Sequence, residues 1–230
     1  MKSLPIVAAL AFVVACEPVQ TSTPAPQTEA VQQPRPATPS GQVNFAAVVR
    51  VVEPVAEQEC RARAPDLNCD FKIIIEADKN APPNAYQTID RSGRPIIGFT
   101  QALIDDARNA DELAFVLGHE AAHHIEGHLQ QQAENATAGA LLGGILAAGL
   151  GVPTDLATQV GGTVGARAYS KSNELEADAL GTIITKKTGF DPLRGAQFFT
   201  RIPDPGDRFL GTHPPNAERI AIVRRVNAGL

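Results

Sequence analysis

The spacing of apolar and polar residues along the chain predicts a small sheet followed by a set of helices. Residues 45–59 carry apolar side chains at helical spacing. Strand-forming residues indicate three strands, at residues 71–77, 86–89 and 95–99, with Ser92-Gly93 as the turn between the last two. Beyond residue 100 the spacing is helical. We therefore predict an α+β fold that is mostly helical, with a small β-sheet near its N-terminal part.

The first fifteen residues form an apolar run that we interpret as a secretory signal peptide. Lys2 supplies a positive start, and the run is shorter than the about 20 residues that span a bilayer. The sequence VVAC at positions 13–16 resembles a bacterial lipobox, where cleavage leaves a lipidated cysteine at the new N-terminus. We expect residues 1–15 to be removed and Cys16 to carry lipid. An ordinary signal peptide with a chance cysteine is the alternative.

The segment that follows has the composition of a flexible linker. Residues 17–43 are rich in Pro, Gln, Thr and Ala and almost free of large apolar side chains. Such a segment cannot bury enough surface to offset its ordering entropy. The lipidated cysteine and its linker would thus occupy residues 16–43, and a single folded domain would occupy residues 44–230.

The cysteine count supports the lipid assignment. The chain has three cysteines, so assigning Cys16 to lipid leaves the pair Cys60 and Cys69. Eight residues separate these two, which does not fit a CxxC zinc or redox motif. We predict a disulfide between Cys60 and Cys69, which implies export to an oxidising compartment.

The overall charge excludes one class of partner. The chain of 230 residues has a formal net charge of −5, so it lacks the basic surface that nucleic acid would need. Hydrophobic residues make up 43% and charged residues 20%, which is ordinary for a globular protein.

The histidines are concentrated in a motif with metal-binding spacing. His119-Glu120-Ala121-Ala122-His123 is an HExxH sequence, which rarely arises by chance in a chain with five histidines. Asn109 and Glu112 have the form of a capping box that begins the helix. On a helix, His119 and His123 lie one turn apart on one face and can reach a single Zn²⁺, while Glu120 is placed to act as general base.

A second histidine pair, His124 and His128, has the same spacing of four residues. It faces about 100° away from the first pair on a helix. No glutamate follows His124, because the next residue is Ile125. We therefore assign His124 and His128 as structural or surface residues.

The third metal ligand is predicted in a later helix, within the sequence NELEADALG at 173–181. Glu174 and Asp178 are four residues apart and share a face, whereas Glu176 points away from it. Ala177 and Gly181 lie on the same side and would let this helix approach the HExxH helix closely. We assign Glu174 as the ligand, Asp178 as the partner of a ligand histidine, and Glu176 as solvated.

Residues 136–152 form an apolar segment between the two metal motifs. The segment is slightly short for a membrane span and poor in large side chains. We favour a packed or mobile element beside the active site over membrane insertion.

Together these motifs resemble the HtpX and CAAX-prenyl-protease type of gluzincin, and within it the periplasmic lipoprotein branch. The resemblance rests on HExxH, on ExEADxxG some fifty residues later, and on THPP with a downstream Arg-Ile, and it covers roughly residues 83–220. Lys171 and His124 depart from the usual pattern, with lysine for arginine and histidine for an apolar residue. The resemblance implies a zincin-like metallopeptidase domain with one Zn²⁺ per chain and with Glu174 as third ligand.

The resemblance also implies a mechanism. Glu120 would take the proton of a metal-polarised water and deliver it to the leaving amine. Protein or peptide substrates would add as a strand to a sheet edge, near Asn84 and Ala85 or near Ile96, Ile97 and Gly98. His213 and Arg219 would lie at the cleft. His213 would either stabilise the oxyanion, with Arg219 in support, or occupy the open zinc position as a gate. We favour the gate, because an exported protease beside unfolded envelope proteins needs restraint.

We predict a zinc-dependent endopeptidase that cleaves misfolded or misassembled envelope proteins. The runner-up is a non-catalytic, chaperone-like lipoprotein that binds clients and has a structural zinc; a metal-storage lipoprotein is a third option. Glu120 argues against the runner-up, because a structural zinc site needs no base. We expect a periplasmic location with a lipid anchor as the sole membrane contact. Glu17 after Cys16 favours the outer membrane, and the envelope assembly machinery is a candidate partner.

Overall fold

The computed structural model describes residues 43–151, 153–159, 171–201 and 215–230. The predicted signal peptide, Cys16, the linker up to residue 42 and His213 lie outside the described residues. The predictions made for them stay predictions.

Helices make up most of the described chain. They are α1 (Phe45–Arg63), α2 (Gln101–Asp106), α3 (Ala110–Ile125), α4 (His128–Leu150), α5 (Lys171–Lys187), α6 (Pro192–Gly195) and α7 (Asn216–Ala228). Residues 154–159 are helical as well, and Ala196–Thr200 forms a 3-10 helix. With the small early sheet, this confirms the predicted mostly helical α+β class.

The sheet has three strands, β1 (Lys72–Ile75), β2 (Ala85–Ile89) and β3 (Pro95–Phe99), in the order β1-β3-β2. β2 and β3 form an antiparallel hairpin whose predicted turn is confirmed. The Asp90 side chain accepts hydrogen bonds from the backbone N–H groups of Ser92 and Arg94. Gly93 has φ +84°, a conformation that glycine adopts without steric cost.

The predicted edge position of Ile96, Ile97 and Gly98 is wrong. β3 is the central strand, because β1 pairs with it in parallel on the side opposite to β2. A peptide therefore cannot add to β3. The sequence shows the hairpin through its short turn, whereas the parallel pairing of β1 joins segments that are not adjacent in the chain. Asn84 and Ala85 do lie at an edge, since Ala85 begins β2.

The first helix extends four residues beyond its prediction and ends at a disulfide. The Asn44 side chain caps α1 by accepting from Ala47 N, at 3.0 Å. Cys60, in the last turn, is bonded to Cys69, with 5.7 Å between their Cα atoms. The predicted disulfide is thus confirmed. It ties the end of α1 to the segment that leads into β1.

Helix α3 runs through the centre of the core. From Asp111 to Ile125, Glu120 is the one residue that is not buried. Asn109 caps the helix by accepting from Glu112 N. The predicted capping box is only half correct, because the Glu112 carboxylate accepts from the backbone N–H of Arg108 and from the guanidinium of Arg201. A helix buried on all sides fixes the position of any side chain it carries.

Residues 136–150 of the apolar segment predicted as packed or mobile belong to α4, and the large side chains of this part do not pack against the core. Five of these side chains are between 59% and 77% exposed: Leu141, Leu142, Ile145, Leu146 and Leu150. Ala147 is the buried exception in this stretch. Among the described residues, no helix is both long enough and apolar enough to cross a bilayer.

Candidate metal centre

Three buried side chains converge between α3 and α5. The Nε2 atoms of His119 and His123, one turn apart on α3, lie 3.0 Å from each other. Glu174, in the first turn of α5, places Oε2 at 3.5 Å from His119 Nε2 and Oε1 at 3.5 Å from His123 Nε2. The structure thus brings together the three predicted ligands.

This donor set fits zinc. Zinc binds His nitrogen and Glu oxygen at about 2.0–2.2 Å in a tetrahedron, which separates neighbouring donor atoms by about 3.3 Å. The observed separations of 3.0 and 3.5 Å bracket this value. Two histidines and one glutamate also form a ligand set of catalytic zinc sites, which keep a fourth position open.

Two glycines allow the close approach of α3 and α5. A Cβ atom on Gly181 would lie 3.0 Å from the backbone N and 3.1 Å from the Cα of His119. A Cβ atom on Gly118 would lie 3.1 Å from the carbonyl oxygen of Gly181. All three distances are tighter than ordinary van der Waals contact, so a side chain at either position would require the facing helix to shift by a few tenths of an ångström. The predicted close packing at Gly181 is confirmed, and Gly118 is its counterpart on α3.

The first ligand histidine is held by a buried ion pair. Asp178 Oδ1 lies 3.0 Å from His119 Nδ1, as predicted for a ligand partner. Arg219 donates two hydrogen bonds to the Asp178 carboxylate, at 2.7 and 2.8 Å. Burial alone would raise the pKa of Asp178, but Arg219 and His119 outweigh burial and lower it. The guanidinium carbon of Arg219 stacks 3.7 Å from the centre of the Phe199 ring, which fixes the cation in place.

The second ligand histidine is held by another histidine. His123 Nδ1 lies 2.9 Å from His128 Nδ1, and His128 Nε2 lies 3.3 Å from Glu176 Oε2. The side chain of His128 is fully buried, so the structural half of its assignment as a structural or surface residue fits and the surface half does not. Glu176 is 57% exposed, in line with its prediction as solvated. The sequence signal that could have identified His128 is its place in the cluster HEAAHHIEGH, directly after a helix-ending glycine.

Burial and neighbouring charges drive the pKa values of the two ligand histidines apart. Burial lowers the pKa of His119, but hydrogen bonds to Asp178 and Glu174 outweigh burial and raise that pKa to about 9. Burial, together with the nearby His119, lowers the pKa of His123 to about 2. His119 is therefore the positively charged ring of the pair and His123 the neutral one, and the carboxylates that stabilise the charge on His119 would also attract a divalent cation.

The predicted base lies where α3 meets solvent. Glu120 directly follows His119 and is partly exposed, while its neighbours on the helix are buried. Burial lowers the pKa of the Arg219 guanidinium, but Asp178 and, to a smaller extent, Glu174 and Glu120 outweigh burial and raise that pKa. Arg219 is buried in the last described helix, α7, with its guanidinium 3.4 Å from the His119 ring nitrogens, and its predicted role at a substrate cleft stays a prediction. His213 lies outside the described residues.

The remaining predicted substrate position is the outer edge of β2. This strand packs on α3, where Gln87 Nε2 lies 3.5 Å from His124 Nδ1. Asn84 and Thr100 form a backbone hydrogen-bonded pair, and such pairs alternate along antiparallel strands. Backbone groups on alternate residues of β2 therefore point away from β3, at Ala85, Gln87 and Ile89.

A buried HExxH helix, joined to a glutamate on a second helix, is the ligand arrangement of zinc-dependent metallopeptidases. Comparison with known proteins agrees with this class. The sequence profile of peptidase family M48 matches residues 42–227, and the chain belongs to this zinc metallopeptidase family.

A relative adds detail that applies to a longer protein. Over 180 residues, the chain is 33% identical to a "putative beta-barrel assembly-enhancing protease" of Vibrio cholerae serotype O1. The match covers 71% of this chain and 36% of the relative. The chain therefore spans about a third of the length of that protein.

Proposed function

We propose that this protein is a zinc-dependent endopeptidase. The observation that carries the proposal is the convergence of His119, His123 and Glu174 beside Glu120, the one residue of the α3 core stretch that reaches solvent. A purely structural zinc site would have no use for an accessible carboxylate at this position. Membership in peptidase family M48 supports the same reaction class.

The site residues divide the work of peptide hydrolysis. His119, His123 and Glu174 would hold the zinc ion. When bound, zinc supplies a Lewis acid that lowers the pKa of water and polarises a peptide carbonyl. Glu120 takes the proton of the attacking water and passes it to the leaving amine.

Asp178 and Arg219 orient the ligand His119 before substrate binds. Asp178 accepts the Nδ1 proton of His119 and fixes the ring with Nε2 toward Glu174. Arg219 keeps Asp178 ionised inside the core. Substrate would bind in an extended form along the outer edge of β2, where backbone groups of Ala85 and Gln87 can pair with it.

The test is Glu120→Gln, which removes the base and no ligand. We expect this variant to keep one zinc per chain by elemental analysis and to lose casein cleavage by at least about 10²-fold. Glu134→Gln is the control, because Glu134 is exposed on α4 and accepts a hydrogen bond from Gln130 of the same helix. Chelator should abolish activity of the parent protein and zinc should restore it. Full activity of Glu120→Gln would refute the mechanism.

The relative suggests the substrates. Its name refers to β-barrel assembly, and we propose that this chain cleaves misfolded or misassembled envelope proteins and works beside the envelope assembly machinery. Digestion of an unfolded outer-membrane β-barrel protein, compared with its folded form, tests this. Equal cleavage of both forms would contradict a quality-control role.

The location follows from the same proposal. The disulfide supports an oxidising compartment, and the VVAC sequence at positions 13–16 supports a lipid anchor on Cys16. We place the protein in the bacterial periplasm, anchored by lipid, and favour the outer membrane.

A further inference from the structure

The two ligand histidines are oriented by different chemistry. His119 contacts the buried carboxylate of Asp178 through Nδ1. His123 instead contacts His128, with 2.9 Å between the two Nδ1 atoms. A bond between these atoms requires that one ring donates and the other accepts, so the contact constrains the tautomers of both rings.

Only one assignment satisfies the metal and both hydrogen bonds. His123 must present a bare Nε2 to the metal, so its proton is on Nδ1 and points at His128. His128 must then accept at Nδ1, so its own proton is on Nε2, which lies 3.3 Å from the Glu176 carboxylate. Both rings are neutral in this arrangement. The chain of donors runs from His123 through His128 to Glu176, at the surface.

The turn between α3 and α4 is built to make this contact. Gly127 has φ +70° and ψ +23°, the left-handed conformation in which helices commonly end. Gly127 N donates to His124 O and Gly127 O accepts from Gln131 N, so both helix ends are bonded. The reversal places His128, the first residue of α4, back against the last turn of α3.

We propose that His128 is a positioning residue for the metal centre: it accepts the Nδ1 proton of His123 and so holds the Nε2 atom of this ligand toward the other two donors. The role rests on the proposed zinc binding. It assigns a function to a residue that the sequence pattern leaves as structural. Partners of this kind typically contribute 10- to 100-fold to metal affinity.

The chain offers a matched control in His124. This neighbour on α3 is also buried, and its Nε2 atom donates to the carbonyl oxygen of Asn68, at 2.8 Å. Its hydrogen-bond partners are Asn68 and Gln87, neither of which is a predicted metal ligand. Glutamine places its amide where histidine has Nε2, so His124→Gln keeps the Asn68 bond. His128→Gln likewise keeps a donor toward Glu176 but loses the acceptor that faces His123.

The experiment measures zinc affinity by competition with a chelator at fixed pH, for the full chain and its variants. We expect His128→Gln to bind zinc 10- to 100-fold more weakly, and His124→Gln to match the parent. His128→Asn should recover most of the loss, because its side-chain oxygen occupies the position of Nδ1. Circular dichroism establishes that each variant is folded.

A second measurement reads the tautomers directly. In ¹⁵N-labelled, zinc-loaded protein, two-bond ¹⁵N–¹H spectra should show His123 protonated at Nδ1 and His128 protonated at Nε2. A His128 ring protonated at Nδ1, or equal zinc affinity of His128→Gln and the parent, would overturn the proposal. Failure of the parent itself to bind zinc would instead refute the proposed function.

Discussion

Several buried carboxylates in the described part of the chain pair with cations that are distant in the sequence. Asp178 pairs with Arg219, Glu112 with Arg201, and Glu59 with Lys187, at separations of 41, 89 and 128 residues. Taking a carboxylate out of water is costly unless it is paired and hydrogen-bonded. The sequence shows these acids but not their partners, because nothing local distinguishes a buried acid from a solvated one. For that reason, the sequence predicts only a helix-capping role for Glu112 and not its ion pair with Arg201.

Glu59 gives a prediction with a pH dependence. Burial would raise the pKa of Glu59, but hydrogen bonds from Lys187 and Arg63 outweigh burial and lower it. A lowered native pKa stabilises the fold above the ordinary carboxyl value of about 4.3, and the stabilisation is lost as pH falls through the native pKa. We expect Glu59→Gln to lower the free energy of unfolding at pH 7 by about 1 kcal/mol, limited by the half-exposed Lys187. At pH 3, below the ordinary carboxyl value, the difference between the variant and the parent should be smaller.

Urea denaturation at the two pH values measures this difference. Glu57→Gln is the matched control, because Glu57 pairs with the exposed Arg61 on the same helix, at 3.2 Å. An exposed pair of this kind contributes at most about 0.5 kcal/mol. Equal destabilisation by Glu59→Gln at both pH values would show that lost packing, not lost charge, causes the effect.

At the scale of elements, periodicity predicted which segments are helices and strands but not how they pair. The HExxH spacing placed His119 and His123 on one face of a helix, and the small residues around Glu174 predicted close helix packing. The pairing of β1 with β3 was missed, because a parallel pairing leaves no local turn signal. The contact between His123 and His128 was missed for a similar reason. It depends on a chain reversal at Gly127, whereas periodicity treats the histidines as one continuous helix.

From the contact between α3 and α5 we predict that Gly181→Ala disturbs the metal site, although Gly181 is not a ligand. The new Cβ would press on the backbone of His119 at 3.0 Å, so α5 must move and carry Glu174 away from the histidines. Gly149→Ala is the control, because a Cβ there meets nothing within 4 Å. Relative to this control, we expect Gly181→Ala to lose about 1 to 3 kcal/mol of stability.

Thermal denaturation gives the stability difference, and chelator competition gives the zinc affinity. Zinc binding by Gly181→Ala should weaken together with stability. Gly149→Ala should match the parent in zinc affinity and equal or exceed it in stability, because alanine favours a helix more than glycine does. Tight zinc binding in a destabilised Gly181→Ala would show that the two helices need not keep this spacing to hold the ion.

At the scale of the whole molecule, the proposed anchor is tested through Cys16. We expect the parent protein to fractionate with membranes because Cys16 carries acyl chains, and Cys16→Ser to be found in the soluble periplasmic fraction. The folded domain should remain unchanged, so both forms should keep the Cys60–Cys69 disulfide in unreduced mass spectra. Membrane association of Cys16→Ser would remove the lipid-anchor proposal.

The close contact between α3 and α5 at Gly118 and Gly181 also limits which mutations the protein can accept. Every single-base change in a glycine codon that alters the residue introduces a side chain with a Cβ atom. At Gly118 and Gly181 any such change places that atom against the opposite helix. Neither glycine contributes a donor atom, yet a side chain at either position would press on the helix that carries the ligands. Sequence drift in this protein should therefore be slow at two positions that chemistry alone would leave free.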